Sequence, residues 1–184
     1  MRNLYLYGKA AYGRPSHAAR GLQPSQQKDV LTGPGCINRD LLLHYVRPYV
    51  LVNKACPVVL RETAAAKELL VFEHPLAGIQ LVKGTIEPGE LPERAALREL
   101  CEESGIALAS SVRTLGAWSS GHRDQVWSFW VCQPHTPPPE NWVHRTADDG
   151  GHLFRFFWHP LFGEVSELWH PLYQRAIRFI QNAV

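Results

Sequence analysis

Several things are scarce in this sequence of 184 residues. No apolar run approaches the 18 or more residues of a membrane-spanning helix, and no positively charged start leads into an apolar core of the kind that marks a secretory signal. Four cysteines, Cys36, Cys56, Cys101 and Cys132, stand far apart with no Cys-x-x-Cys pair. That spacing argues against both a zinc site and a disulfide framework. Nine histidines are present, but they show no ligand spacing. No segment repeats, and the net charge is only +2. Together these absences predict a soluble, cytoplasmic protein with no membrane partner.

What is present suits one globular domain with a substantial core, at 45% hydrophobic and 20% charged residues. The charge is uneven. Residues 1–35 carry Arg2, Lys9, Arg14, Arg20 and Lys28 against Asp29 alone, and glycines and prolines interrupt them throughout. The division this predicts is a basic, weakly ordered extension over 1–38 and a folded domain over 39–184. Within the extension, 4–7 could pair as an edge strand.

Apolar runs at 41–46, 49–52 and 58–60 read as strands, followed by a polar hairpin loop at 63–67 and further strands at 68–73 and 78–82. Later strands are expected at 112–115, at 125–132 with alternating aromatics, and at 153–158, closed by Pro160. Three consecutive prolines, Pro137 to Pro139, mark a loop. Leu168, Leu172, Ile177 and Ile180 recur at helical spacing, so an amphipathic helix is expected over 164–183. Strands with one central and one terminal helix make an α+β pattern.

The most informative stretch is 84–106, GTIEPGELPERAALRELCEESGI. Pro92 in a first turn and Gly105 as a stop frame a helix over 91–104. At 100° per residue Glu99, Glu102 and Glu103 share one arc, and Leu97, Leu100 and Cys101 fall opposite, so the wheel predicts an acidic face, a core face and a buried Cys101 thiol. Like charges at this spacing repel, and the helix C-terminus disfavours anions. The cluster therefore points to a compensating cation, and carboxylate oxygens suit Mg²⁺ or Mn²⁺. The full pattern is Gly84, five residues, Glu90, seven residues, Arg98-Glu99-Leu100, one residue, Glu102-Glu103, one residue, Gly105-Ile106.

That pattern resembles the Nudix box of the Nudix hydrolases at every specified position. The resemblance implies the family's α/β/α sandwich, a mixed sheet with the box helix and a C-terminal helix. It also implies a Mg²⁺- or Mn²⁺-dependent hydrolysis of a pyrophosphate bond in a nucleoside diphosphate linked to another group, with water attacking phosphorus. By resemblance Glu99, Glu102, Glu103 and the carbonyl of Gly84 hold the metal, and Arg98 pairs with Glu90 to stiffen the box. Glu99 is the candidate for orienting or deprotonating the water. A base from a distant loop leaves Asp124, Glu140, Asp148, Asp149 and Glu164 open. Lys83, at the strand end, and Trp142, beside the proline loop, are candidate substrate-binding residues.

Marks of particular branches are missing. Ser120-Gly121-His122 stands where ADP-ribose hydrolases carry a proline, and Arg123-Asp124 where diadenosine-polyphosphate hydrolases carry a tyrosine. Valine precedes Lys83-Gly84 in place of the common proline. The substrate is left open on these grounds. Two further readings stay beside the hydrolase: a non-catalytic, nucleotide-sensing module of the same fold, and an RNA-end pyrophosphohydrolase using residues 1–35 as a phosphate-binding arm. The expected partner is a small nucleoside diphosphate derivative, with nucleic acid less favoured and a homodimer open.

Overall fold

A computed structural model describes residues 51–147 and 151–184. The edge strand expected at 4–7, the strand at 41–46, residues 49–50, Cys36, Asp148 and Asp149 lie outside the described residues. Among the described residues nine strands and two helices follow in the order β1 Lys54–Val58, β2 Leu60–Glu62, β3 Lys67–His74, β4 Gly78–Gln80, β5 Gly84–Thr85, α1 Pro92–Ser104, β6 Ala109–Ser119, β7 Val126–Pro134, β8 Asn141–Arg145, β9 Leu153–Pro160 and α2 Pro171–Ala183.

The strands form two sheets, ordered β5-β1-β7-β6 and β2-β3-β9-β8, with β4 added alongside β3. The first is mixed, because β1 runs parallel to β7 while β5 is antiparallel to β1 and β6 to β7. In β3 the run Leu69, Leu70, Val71, Phe72 is buried on both faces. Leu69 and Val71 join a cluster with Trp127, Phe129, Ile177 and Ile180, whereas Leu70 and Phe72 join Ala95, Ala96, Leu100 and Phe156. A continuous apolar strand is what burial on two faces requires. Helix α2 therefore covers one face of the strand layer and α1 the other, which is the expected α+β sandwich.

Several elements differ from the sequence-based expectation: the run at 58–60 is divided between the end of β1 and the start of β2, and the strand expected at 112–115 is the longer β6. The strand expected at 49–52 has no strand structure in its described part, and β1 begins at Lys54. The terminal helix begins at Pro171, not at residue 164. Residues 168–170 instead run extended beside β4, where Ile79 N–H donates to Leu168 O at 2.9 Å and His170 N–H donates to Ile79 O at 3.2 Å. His170 then caps the helix, its Nδ1 accepting from Leu172 N–H at 3.2 Å, and Pro171 occupies the first turn, where no N–H is needed. Strand β8 was not anticipated, although Asn141 to Arg145 alternates exposed and half-buried residues as a half-covered strand should.

Candidate active site

The site forms where the chain passes between sheets. After β4, Leu81 and Val82 are buried, and Gly84–Thr85 then pairs with β1 in the other sheet, Ala55 opposite Gly84 and Lys54 opposite Thr85. The turn that follows is closed from both sides. Glu90 N–H donates to Glu87 O at 3.0 Å, and Glu87 N–H donates to Glu90 Oε2 at 3.0 Å. Helix α1 begins at Pro92, after Leu91, and is capped by Gly105, whose φ of 79° is the left-handed conformation glycine tolerates.

The helix is not oriented as the wheel predicted. Its buried face is Ala95, Ala96, Glu99, Leu100 and Glu103, while Leu97 and Cys101 are only half-buried. Glu99 is 3% exposed and Glu103 8%, so two of the three carboxylates face into the body of the protein and only Glu102 faces solvent. The two small alanines bring the helix close to β1 and β7, and the glutamates are carried in on the same stripe. Gly84 makes the space for one of them: a Cβ at that position would coincide with the Glu99 carboxylate.

Arg98 ties the elements together. Its Nε and Nη2 donate to the two oxygens of Glu90 at 2.9 and 2.8 Å, a bidentate pair. Nη1 donates to Glu99 Oε1 at 2.8 Å and Glu102 Oε2 at 2.9 Å, and Nη2 also reaches Thr85 O at 2.9 Å. Pairing with Arg98 holds the Glu90 carboxyl below its ordinary range. A carboxylate with a depressed folded-state pKa stabilises the fold above its unfolded value and loses that contribution as pH falls through the folded value. Glu90→Gln should therefore be less stable than the parent at pH 7 by about 1 kcal/mol, the low end for a charged hydrogen bond within reach of solvent. The gap should narrow as pH falls below 4.5, which urea titrations across pH 7 to 3 would measure.

The C-terminal end of α1 carries no basic residue in its last turn. Strand β8 supplies its partners instead. Trp142 Nε1 donates to Ser104 O at 2.8 Å, and His144 Nε2, two residues along the same face, donates to Glu102 O at 3.1 Å. Trp142 also stacks on Phe156, ring centres 4.9 Å apart and 12° from parallel. The sequence offered it as a base-stacking residue; in the structure its ring packs on Phe156 and caps the helix, and it does not line the cleft. Trp142→Phe should keep the stack and lose the cap, lowering stability by about 1 kcal/mol. KM for the best substrate should stay unchanged, and thermal melts with steady-state kinetics would check both.

An open cleft of about 770 Å³ collects Lys54, Lys83, Gly84, Thr85, Glu87, Arg98, Glu99, Glu102, Glu103, Arg145, Thr146, Ala147 and Phe154. Of the sequence-derived candidates, Gly84, Arg98, Glu99, Glu102, Glu103 and Lys83 come together here, and Glu90 stands behind them on Arg98. Lys83 lines the cleft and holds its ammonium 5.5 Å from the ring centre of buried Trp127. Among the described residues no three His, Cys, Asp or Glu side chains are gathered closely enough to hold a metal ion. Arg98 instead draws an oxygen each from Glu99 and Glu102. The candidate loop bases separate as well. Glu140 is held by both terminal nitrogens of Arg61, at 2.7 and 2.6 Å, and neither it nor Asp124 nor Glu164 lines the cleft.

Lys54, Arg145 and Thr146 were not singled out from the sequence. Lys54 donates to Thr85 Oγ1 at 2.5 Å. Partial burial first, and then the neighbouring Lys83 charge, lower its pKa from the ordinary lysine value, opposed by Glu99 and Glu103. The available signal was a lysine at the start of an apolar strand, which on sequence alone is indistinguishable from a solvated one.

Residues 53–174 match the NUDIX domain family. Solved structures with a similar fold include an ADP-ribose pyrophosphatase from Streptococcus suis, at 11% identity and TM-score 0.46 over 71% of this chain and 91% of that one. A Caenorhabditis elegans Ap4A hydrolase aligns at 19% identity and TM-score 0.47, over 71% and 95% of the two chains. Its binary complex aligns at 21% and 0.44, over 72% and 99%. No curated protein matches the chain.

Proposed function

Because this chain belongs to the Nudix family, its domain spanning residues 53–174, we propose that it is a divalent-metal-dependent pyrophosphohydrolase acting on a nucleoside diphosphate linked to another group. The observation that carries the reading is the place left for Glu99. A glycine without a Cβ admits a nearly fully buried carboxylate against the strand that enters the site, with Glu102 and Glu103 bordering the same cleft. Burying carboxylates in this way is unfavourable for the fold alone. An all-oxygen donor set suits Mg²⁺ or Mn²⁺, and Glu99, Glu102, Glu103 and the Gly84 carbonyl would hold it once the Glu99 and Glu102 oxygens that Arg98 draws to itself turn toward the ion. The ion would supply Lewis-acid neutralisation of the phosphoryl oxygens and a bound water of lowered pKa.

The chain's own residues do the rest. Arg98, clamped bidentate by Glu90, ties the middle of α1 to Thr85 and keeps the carboxylates in register with Gly84. Lys83 faces the cleft as a cation for substrate phosphates. Glu99, oriented by Arg98 Nη1 at 2.8 Å, accepts the proton of the attacking water. The water oxygen forms the new bond to phosphorus, the bridging P–O bond breaks, and the electron pair leaves with the second phosphate. The reading includes residues 1–38 as an extension outside the catalytic domain of 39–184.

The test is product release from a panel of nucleoside triphosphates, nucleotide sugars, ADP-ribose, Ap4A, other dinucleotides and capped RNA, with Mg²⁺ or Mn²⁺ and with chelator. Metal-dependent cleavage of one class supports the reading and names the substrate. Tight metal binding with no cleavage across the panel would replace it by a nucleotide-sensing module.

A further inference from the structure

One wall of the cleft is basic: Lys54 and Lys83 line it, and among the described residues the Glu99 and Glu103 charges attract Lys54 without forming a salt bridge to it. Lys54 opens β1, and its cross-strand partners are Thr85 on one side and Trp127 on the other. Its ammonium is held by the Thr85 hydroxyl, and the carbonyl of the same threonine is held by Arg98. Lys83 comes in from the neighbouring loop, its ammonium above the Trp127 ring. Two ammonium groups are thus brought to one half-buried patch, each aimed by a separate contact, and among the described residues neither has a salt-bridge partner. Lysines at a strand end ordinarily splay apart into water. Holding two of them together over an apolar floor is locally unfavourable in the same sense as the buried glutamates opposite, with the charge reversed.

We propose that Lys54, aimed by the Thr85 hydroxyl and set beside Lys83, binds a phosphoryl group of the substrate on the wall facing the carboxylates. This rests on the pyrophosphohydrolase reading and extends it. The cleft has an anionic wall that would take cations and a cationic wall that takes the phosphates those cations bridge. The ligand class is a pyrophosphate or longer phosphate chain, because one phosphate monoester would not need both lysines. Thr85 acts as a positioning residue, since its hydroxyl meets the lysine and not the reacting atoms.

Calorimetric titration of methylenediphosphonate, a non-hydrolysable pyrophosphate mimic, with Mg²⁺ into the full chain tests this without reference to turnover. Lys54→Met keeps the aliphatic stem and removes the charge, and should weaken binding about tenfold or more. Thr85→Val should weaken it about threefold with the melting temperature unchanged. Lys67→Met removes a surface charge paired to Glu62 outside the cleft and should change nothing. Binding by Lys54→Met as tight as the parent, or an equal loss in Lys67→Met, overturns the proposal. Mn²⁺ affinity, followed by the paramagnetic relaxation of bound water, should be the same in Lys54→Met and parent, and a parallel loss there would also overturn it. The two readings fail separately. A parent protein that binds the diphosphonate but cleaves nothing removes the hydrolase and leaves Lys54 as a phosphate ligand. A parent that cleaves while Lys54→Met binds undiminished removes only the lysine.

Discussion

Glu103→Gln should leave a folded protein with about 10³-fold lower kcat, some 4 kcal/mol of barrier, when the best substrate is assayed with Mg²⁺. The substitution is isosteric, so it opens no cavity. What it removes is one negative charge from a position 8% exposed on the inward face of α1. A neutral amide is cheaper to bury than a carboxylate, and the repulsion from Glu99 four residues away is relieved. Thermal stability should therefore stay equal to the parent or rise. A structural glutamate would behave in the opposite way, with stability falling and kcat following only as protein unfolds. Melting curves and kcat on the same preparations separate the two, and a Glu103→Gln protein that keeps parental turnover would remove Glu103 from the catalytic set.

Gly84→Ala is the second large effect and tests space instead of charge. The added methyl would coincide with the Glu99 carboxylate, and the facing atoms belong to a side chain already fixed by Arg98. Something must move. Overpacking of this kind costs about 1–3 kcal/mol of stability. Displacing Glu99 from its place should lower kcat/KM by about 10²-fold or more, comparable to losing a preorganised polar group. Because both changes act on one carboxylate, they should not add. Gly84→Ala placed on a Glu99→Ala background should cost almost nothing further in kcat/KM, whereas independent sites would multiply. Full multiplicativity in that cycle would mean that Gly84 serves the backbone and not Glu99.

The site was legible in the sequence where spacing carries the chemistry. A turn, a helix start at Pro92, a stop at Gly105 and carboxylates at fixed offsets are local features, and the Arg98–Glu90 pair spans only eight residues. What was not legible depends on partners distant along the chain. The helical wheel placed Glu99, Glu102 and Glu103 on one arc, and they are; it could not say that Ala95 and Ala96, being small, would turn that arc toward β1 and β7. Burial was inferred from polarity, and a site whose function is to hold charge in a protected place inverts that inference. The placement of Trp142 was hidden for a related reason. A tryptophan beside a proline loop shows no partner in the sequence until β8 pairs with β9 and lays it against Phe156 and the end of α1. Lys54 was invisible because its meaning comes from Thr85 and Lys83, about thirty residues away. The start of α2 was closer to readable. Pro171 is the better boundary signal, but the apolar Leu168 extended the periodic pattern past it, although that residue is 69% exposed beside β4.

The central claim is that buried carboxylates face an anionic substrate across a cleft in order to cleave it with a divalent ion. The most direct measurement is turnover of the substrate panel by the parent chain and its Glu103→Gln variant side by side, with Mg²⁺ or Mn²⁺ and with chelator. The account predicts cleavage at a pyrophosphate bond by the parent only with metal, and about 10³-fold less by an equally folded variant. Cleavage that survives the chelator, or equal cleavage by parent and variant, would contradict it.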